Sequence, residues 1–98
     1  MKIECIVWLE HIVEKIEAKH GVQTFEVDEI FKNNPRVRRI ERGKIKGENL
    51  YVATGQSDAG RYLAVFFICK KSKTVLIVTA RDMDKKERKD YEESRKRR

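Results

Sequence analysis

A lysine and a histidine, Lys19 and His20, stand at the end of an amphipathic segment, directly before Gly21 and Val22. The ordinary pKa of imidazole lies near neutrality, so His20 can act as a general base or a general acid. Lys19 offers a cation to a phosphate group. The structural alternative is a helix-terminal pair that complements the helix macrodipole, worth roughly a few tenths of a kcal/mol. On these residues alone, the structural alternative is the stronger one.

Two arginines, Arg61 and Arg81, each stand where an apolar segment meets a turn. A sheet can present a side chain to a ligand at such a border while the strand itself stays buried. Two converging guanidiniums would suit a phosphodiester, because the planar group matches phosphate oxygens and keeps its charge. The alternative for each arginine is a surface salt bridge, most simply between Arg81 and Asp82 or Asp84. For the two arginines together, phosphodiester binding and surface salt bridges both stay open as interpretations.

The most positive part of the chain is the stretch 32–46, which holds seven cations and one acid, a net charge of +6 within a chain of net charge +7. Such a density of positive charge favours contact with the phosphates of RNA. The alternative is a solvated charged loop. The cations of this basic stretch are Lys32, Arg36, Arg38, Arg39, Arg42, Lys44 and Lys46.

Metal and cofactor chemistry find little support in the sequence. His11 and His20 are nine positions apart, which is unlike the spacing of a metal-binding pair on one helix face. Cys5 and Cys69 stand alone in apolar stretches, and this pattern predicts buried free thiols rather than a zinc site. No phosphate-binding or dinucleotide-binding glycine motif is present, so we expect neither a metal nor a cofactor.

The cellular location is inferred from what the chain does not contain. No apolar run approaches the ~20 residues that cross a bilayer. The N-terminal residues carry an acid and lack a cleavage site for export. We therefore expect a cytoplasmic protein.

Apolar periodicity predicts two N-terminal helices. Residues 6–20 place Leu9, Ile12, Val13 and Ile16 on one face, and Gly21 follows as the C-cap. Trp8 lies either at the end of a short strand or in the first helical turn. A second helix is expected from Thr24, acting as its N-cap, to about residue 33.

The second half of the chain changes to the periodicity of strands. Apolar and β-branched residues predict three to four antiparallel strands in a meander, with a turn at residues 55–60 and a hairpin at 70–73. A last helix opens at Asp84, whose spacing from Glu87 is that of a capping box, and residues 94–98 are expected to form a frayed basic tail. The whole chain, 1–98, is predicted to be one α+β domain with its helices packed on the sheet. The predicted strands are 37–40, 49–54, 61–69 and 74–80.

Several motifs also follow one order along nearly the whole chain. They are Lys19-His20-Gly21-Val22, Phe31, Gly47-Glu48, Gly55, Val65-Phe66, and Thr79-Ala80-Arg81 followed by Glu87-Arg88 and Tyr91. This order resembles the BrnT-like toxins, whose pattern is KHGV, an acid-containing strand, and S/T-A-R followed by ER and Y. The C-terminal part is the most specific, whereas KHGV alone would be weak.

The resemblance implies a fold similar to RelE-type microbial ribonucleases and a ribonuclease activity that arrests growth. It also implies inhibition by an antitoxin protein from a neighbouring gene, expected to be of the ribbon-helix-helix type. By position, the candidate functional residues are Lys19, His20, Glu48, Arg61 and Arg81.

This resemblance leads to the hypothesis of a type II toxin that is a metal-independent endoribonuclease. A base would take the proton of a ribose 2′-OH, which then attacks the adjacent phosphorus. His20 is the preferred base and Glu48 the second choice, while Arg61 and Arg81 would stabilise charge on the phosphoryl oxygens. Lys19 and the basic stretch would hold the RNA. The hypothesis requires His20 and the two arginines to share one pocket.

Two positions depart from the family pattern. The family often has arginine just after the Gly-Glu acid and again in the last strand, where this chain has Leu50 and Leu76. These departures favour a competing interpretation, a catalytically inactive module that binds RNA or protein on the same fold. A DNA-binding regulator is a weaker alternative, because no segment shows the pattern of a helix-turn-helix.

Overall fold

The computed structural model describes residues 5–41, 48–70 and 73–96. Within these ranges the chain forms three helices and five strands. In chain order they are β1 (Cys5–Val7), α1 (Glu10–His20), α2 (Thr24–Lys32), β2 (Arg36–Glu41), β3 (Leu50–Gln56), β4 (Tyr62–Lys70), β5 (Thr74–Asp82) and α3 (Lys85–Lys96).

The first helix starts later than its apolar periodicity predicts. Ile6 and Val7 belong to β1, which pairs in parallel with β5, so the prediction of a helix from residue 6 was wrong. The backbone of these residues is held by hydrogen bonds to a strand near the other end of the chain, and this distant pairing overrides the local pattern. The predicted end of α1 is confirmed: Gly21 adopts the left-handed conformation (φ 61°), which glycine adopts without steric cost.

The N-cap of the second helix lies one residue before the predicted one. Gln23 is the N-cap, and its backbone N–H donates to Glu26 Oε1 at 3.0 Å, so Thr24 is already helical. The helix ends at Lys32, before Pro35, in agreement with the restriction that proline places on the residue preceding it.

The sheet has five strands in the order β1-β5-β4-β3-β2. Strands β2 to β5 form the predicted antiparallel meander, and β1 adds a parallel edge strand beside β5. The expectation of three to four antiparallel strands is therefore corrected to five strands in a mixed sheet. The predicted relation to RelE-type ribonucleases stays a prediction.

One face of the sheet, here called the helix face, packs against α1 and α2. Ile16 and Ile30 from the helices join Val65, Phe67 and other apolar side chains of the strands in a single core cluster. Gly55 lies inside β3 and not in the predicted turn. A Cβ atom at this position would lie 3.2 Å from Cγ2 of Ile30, so the absence of a side chain allows α2 to approach the sheet closely.

The opposite face, here called the α3 face, carries the last helix. The predicted capping box is confirmed, because the backbone N–H of Glu87 donates to Asp84 Oδ1 at 2.8 Å and that of Asp84 donates to Glu87 Oε1 at 2.9 Å. Residues 94–96 continue the helix, so the frayed tail does not begin at Ser94, and residues 97 and 98 lie outside the described ranges. No helix in the described part of the chain is long and apolar enough to cross a membrane.

Candidate functional site

Arg61 lies just before β4 and contacts three other elements. Its Nη2 donates to the carbonyl oxygen of His20 at 2.9 Å, and its Nη1 donates to that of Gly21 at 2.8 Å and to Glu26 Oε1 at 3.1 Å. Its Nε and Nη2 donate to the two carboxylate oxygens of Asp82 at 2.8 and 3.1 Å. A guanidinium has five N–H groups, and each of them has a partner here.

Because all five N–H groups of Arg61 have partners, Arg61 has a structural role in this arrangement. The guanidinium joins the end of α1, the first turn of α2 and the end of β5, and it satisfies the last carbonyl groups of α1. Because the donors already have partners within the protein, Arg61 offers none to a phosphate in this arrangement. Its pKa is raised, chiefly by the hydrogen bond to Asp82, so the guanidinium of Arg61 stays charged.

His20 lies beside this network. Its side chain is half-buried, and among the described residues its imidazole has no hydrogen-bond partner. The hydrogen bond from Arg61 lowers the pKa of Asp82, and the charge of the nearby His20 acts in the same direction. Lys19 is exposed next to it. An imidazole that has no hydrogen-bond partner in the described part of the chain, close to a carboxylate and a cation, is suited to proton transfer at an anionic ligand.

Arg81 belongs to a second cluster. Its Nη1 and Nη2 donate to the two carboxylate oxygens of Glu87 at 2.6 and 3.0 Å, and its guanidinium lies 5.1 Å from the ring centroid of Phe66. The pKa of Glu87 is lowered, because the hydrogen bonds from Arg81 and from the backbone of Asp84 outweigh the opposing effect of burial. Arg81 is about one-third exposed, so part of its guanidinium remains accessible.

The two arginines lie on opposite faces of the sheet, because β5 is irregular. Val75 and Ile77 face the core, and strict alternation would place Arg81 on that face as well. A register shift opposite Phe66 and Phe67 inserts an extra residue, so that Ala80 faces the core instead. Asp82 consequently points towards Arg61 on the helix face, whereas Arg81 points to the α3 face. The single pocket that the sequence hypothesis requires is therefore absent among the described residues.

Glu48 lies far from both clusters. It forms an ion pair with Lys70 at the end of β4, whereas Arg61 directly precedes the start of this strand. A strand of nine residues is about 30 Å long. His20 and Glu48 are therefore separate candidates for a catalytic base and do not act together.

The basic stretch is described only in part. Arg36, Arg38 and Arg39 lie on β2 with exposed side chains, and Lys32 is exposed at the end of α2. Arg42, Lys44 and Lys46 lie outside the described residues. The described part thus forms a cationic strand at the edge of the sheet.

Leu50 and Leu76, the two departures from the family pattern, lie in one row of the sheet. Ile68 on β4 pairs with Leu50 on one side and with Leu76 on the other, and Val7 of β1 pairs with Leu76. This row is on the α3 face, the same face as Arg81. At the two positions where the resemblance leads us to expect arginine, this chain therefore carries an apolar row.

Three carboxylates of these clusters are not recognisable from the sequence as functional partners. Glu26 and Asp82 bind Arg61, and Glu87 binds Arg81. Glu87 was identified only as a helix cap, and Asp82 only as a possible partner of the adjacent Arg81. The partners of Arg61 are 21 to 41 positions away along the chain, so no local signal could have identified them.

No group of three His, Cys, Asp or Glu side chains is placed to hold a metal ion within 5–41, 48–70 and 73–96. Cys5 is exposed and Cys69 is half-buried, and both are free thiols. The expectation that both thiols are buried was wrong for Cys5, because β1 lies at the edge of the sheet.

Comparison with known proteins agrees with the fold and with the family that the sequence resembles. A family model described as "Ribonuclease toxin, BrnT, of type II toxin-antitoxin system" matches residues 8–87. The 1.1 Å crystal structure of the ribonuclease toxin BrnT from Brucella abortus is similar in fold, with a TM-score of 0.61 and 17% sequence identity over 86% of this chain and 100% of that chain. No curated protein matches the sequence. From the family match over most of its length, the chain belongs to the BrnT family of ribonuclease toxins of type II toxin–antitoxin systems.

Proposed function

We propose that this protein is an endoribonuclease that arrests growth until an antitoxin protein binds it. The observation that carries the proposal is the match of residues 8–87 to the family model. The net charge of +7 supports a polyanionic substrate. RNA in the cytoplasm is the expected substrate, and the expected antitoxin is of the ribbon-helix-helix type.

The proposed reaction uses the nucleophile that RNA itself carries. A base removes the proton of a 2′-OH, the 2′-oxygen attacks the adjacent phosphorus, and the bond from phosphorus to the 5′-oxygen breaks. The 5′-oxygen leaves with a proton, so the products are a 2′,3′-cyclic phosphate and a 5′-OH end. This reaction requires no metal, because neither the nucleophile nor the proton transfer depends on one.

His20 is the proposed base. Its imidazole has no hydrogen-bond partner among the described residues, and the carboxylate of Asp82 lies near enough to interact with its charge. Lys19 is the proposed phosphate contact beside it. Arg61 is a positioning residue, because it holds the carbonyl groups of His20 and Gly21 and the carboxylate of Asp82.

Arg81 and the basic stretch are proposed to bind RNA away from the base. Arg81 keeps part of its guanidinium accessible on the α3 face, and it lies beside Phe66, on which a base can stack. Arg36, Arg38 and Arg39 extend the positive surface along β2, and Arg42, Lys44 and Lys46 follow them in sequence. Glu48 is the alternative base, and its distance from His20 makes the two assignments separable by mutation.

The test compares His20→Ala with His11→Ala, a matched control on the exposed side of the same helix. Each purified variant is incubated with total RNA in the presence of EDTA, and circular dichroism confirms that it is folded. We expect wild type and His11→Ala to shorten RNA and His20→Ala to lose at least about 100-fold in rate. Full activity of His20→Ala together with loss in Glu48→Gln would transfer the role of base to Glu48.

A second function, an inactive module that binds RNA or protein, is favoured by one observation. Leu50 and Leu76 form an apolar row on the face that carries Arg81, and the guanidinium of Arg81 is already paired with Glu87. In the same experiment, a wild-type protein that binds RNA and leaves its length unchanged would establish this function and exclude the enzyme.

A further inference from the structure

The strand β2 is the outer strand on one side of the sheet. It pairs with β3 along one edge, and no other strand of the described residues lies on its outer edge. Six residues of strand extend over about 20 Å. An outer strand carries unpaired backbone N–H and C=O groups that can hydrogen bond to a further extended segment.

The side chains of β2 make this edge positive on both faces of the sheet. Arg38 pairs with Val52 on the α3 face, and Arg39 pairs with Tyr51 on the helix face. Neither guanidinium has an ion-pair or hydrogen-bond partner within the described ranges. Arg36 differs, because it lines a cleft of about 450 Å³ together with Asp90 and Glu93 of α3.

These charges determine what can pair with the edge. Two copies of β2 would bring the Arg38 and Arg39 side chains of both chains close together, which opposes pairing between identical chains. An extended acidic segment would place carboxylates opposite the arginines and would satisfy the backbone groups at the same time. RNA can match the charges but has no ladder of amide groups. The combination of an open edge and unpaired arginines therefore selects a peptide.

We propose that the outer edge of β2 binds an extended acidic segment of a protein partner, which adds to the sheet as a sixth strand. In one respect this inference rests on the proposed function, because it takes the antitoxin as the partner. Since the segment would occupy Arg38 and Arg39, it also excludes RNA from this part of the positive surface. The opposite edge is formed by β1, which has three residues and is too short to bind in the same way.

The probe is a capped synthetic heptapeptide of four glutamates and three valines, added to the whole protein. Binding is followed by NMR through the amide shifts and the hydrogen exchange of β2, with β1 as the internal reference. One control peptide is N-methylated at alternate residues, which keeps its charge and removes half of its backbone donors. Two further controls are a peptide in which lysine replaces each glutamate and a short oligouridylate, which represents RNA. None of these measurements depends on ribonuclease activity.

We expect the acidic peptide to slow exchange in β2 and not in β1. The N-methylated peptide should bind at least about tenfold more weakly and should give no protection. Equal binding of the two acidic peptides would mean that charge alone is recognised and would overturn the added strand. Equal protection of β2 by oligouridylate would overturn the choice of a peptide.

The variant Arg38→Glu/Arg39→Glu tests the charges. Its matched control is Lys85→Glu/Lys89→Glu on α3, which changes the net charge equally at exposed positions that do not line the cleft with Arg36. We expect the edge variant to lose about tenfold or more in affinity for the acidic peptide and to gain affinity for the lysine peptide, whereas the control is little changed. An equal loss in both variants, or no gain with the lysine peptide, would contradict the proposal.

Discussion

At the scale of single residues, Arg61 and Arg81 show how one residue type takes different roles. Both stand next to strand ends, and both form bidentate ion pairs. Arg61 also binds two carbonyl oxygens and a second carboxylate, so all its donors are used. Arg81 has one carboxylate partner, one carbonyl partner (that of Asp82) and an aromatic ring, and among the described residues its Nε–H and one N–H of Nη2 have no partner. The number of donors still available therefore separates a positioning residue from a binding residue.

The network around Arg61 predicts a dependence of stability on pH. The hydrogen bond from Arg61 lowers the pKa of Asp82 in the folded protein. Asp82 therefore contributes stability above its unfolded pKa, near 4, and this contribution is lost as the pH falls through the lower folded pKa. The difference in unfolding free energy between wild type and Asp82→Asn should be largest at neutral pH and should shrink below about pH 4.

Urea unfolding at several pH values measures this difference. The exposed Glu17 provides a control, because Glu17→Gln removes a carboxylate outside the Arg61 network. We expect this variant to differ little from wild type at any pH. A difference between wild type and Asp82→Asn that stays constant from pH 7 to pH 3 would contradict the coupling to Arg61.

At the scale of elements, α3 is held to the sheet by few contacts. Tyr91 is its buried residue, and the ring of Tyr91 packs edge-on against Tyr62 at a centroid distance of 6.1 Å. Arg95 donates to the hydroxyl of Tyr91 at 2.7 Å, and Arg88 lies over the ring of Tyr62. The contacts of α3 with the sheet thus include Tyr91 and Arg88 on Tyr62 and the ion pair of Glu87 with Arg81, whereas Arg95 and Tyr91 both belong to α3.

The variants Tyr91→Ala and Tyr91→Phe separate the contributions of the ring and the hydroxyl. Removing the ring should cost about 3 kcal/mol or more of unfolding free energy, whereas removing the hydroxyl should cost about 1 kcal/mol. Urea unfolding measures the cost, and hydrogen exchange shows whether the α3 amides open before those of β4. Equal losses in the two variants would show that the hydroxyl, and not the ring, holds the helix.

The elements also show what the sequence could predict. The end of α1 at Gly21 and the capping box of α3 were predictable, because each depends on residues a few positions apart. The parallel strand β1 and the bulge in β5 were not, because both depend on pairing between distant segments. The bulge had the larger effect on the candidate site. One extra residue in β5 places Arg81 on the α3 face and not on the helix face. Counting alternate side chains along the sequence cannot reveal such an extra residue.

At the scale of the whole molecule, the positive charge is unevenly distributed. Three arginines of β2 are exposed near one another, whereas the cations of α3 alternate with acids. Binding of RNA by the edge of β2 should therefore respond to salt more than binding through α3. The triple variant of Arg36, Arg38 and Arg39 to glutamine tests this, with Lys85, Lys86 and Lys89 to glutamine as the matched control.

The logarithm of the RNA affinity should fall linearly with the logarithm of salt concentration, because bound counterions are released. Removing three phosphate contacts should reduce the slope by about 2 for single-stranded RNA, at roughly 0.7 per contact. The control should change the slope much less. Equal changes in the two variants, measured by fluorescence anisotropy, would show that only the net charge matters.

The parallel pairing of β1 with β5 has a consequence for how the protein is made. Cys5 pairs with Thr74 and Val7 with Leu76. The strand β1 can therefore form its backbone hydrogen bonds only after β5, which is synthesised much later, has left the ribosome. Contacts between such distant segments form slowly, because a long loop must close first. A nascent chain that has not yet reached β5 cannot complete the sheet, so premature termination would release a polypeptide without the finished architecture. Completion of the sheet therefore requires that β5 has been synthesised.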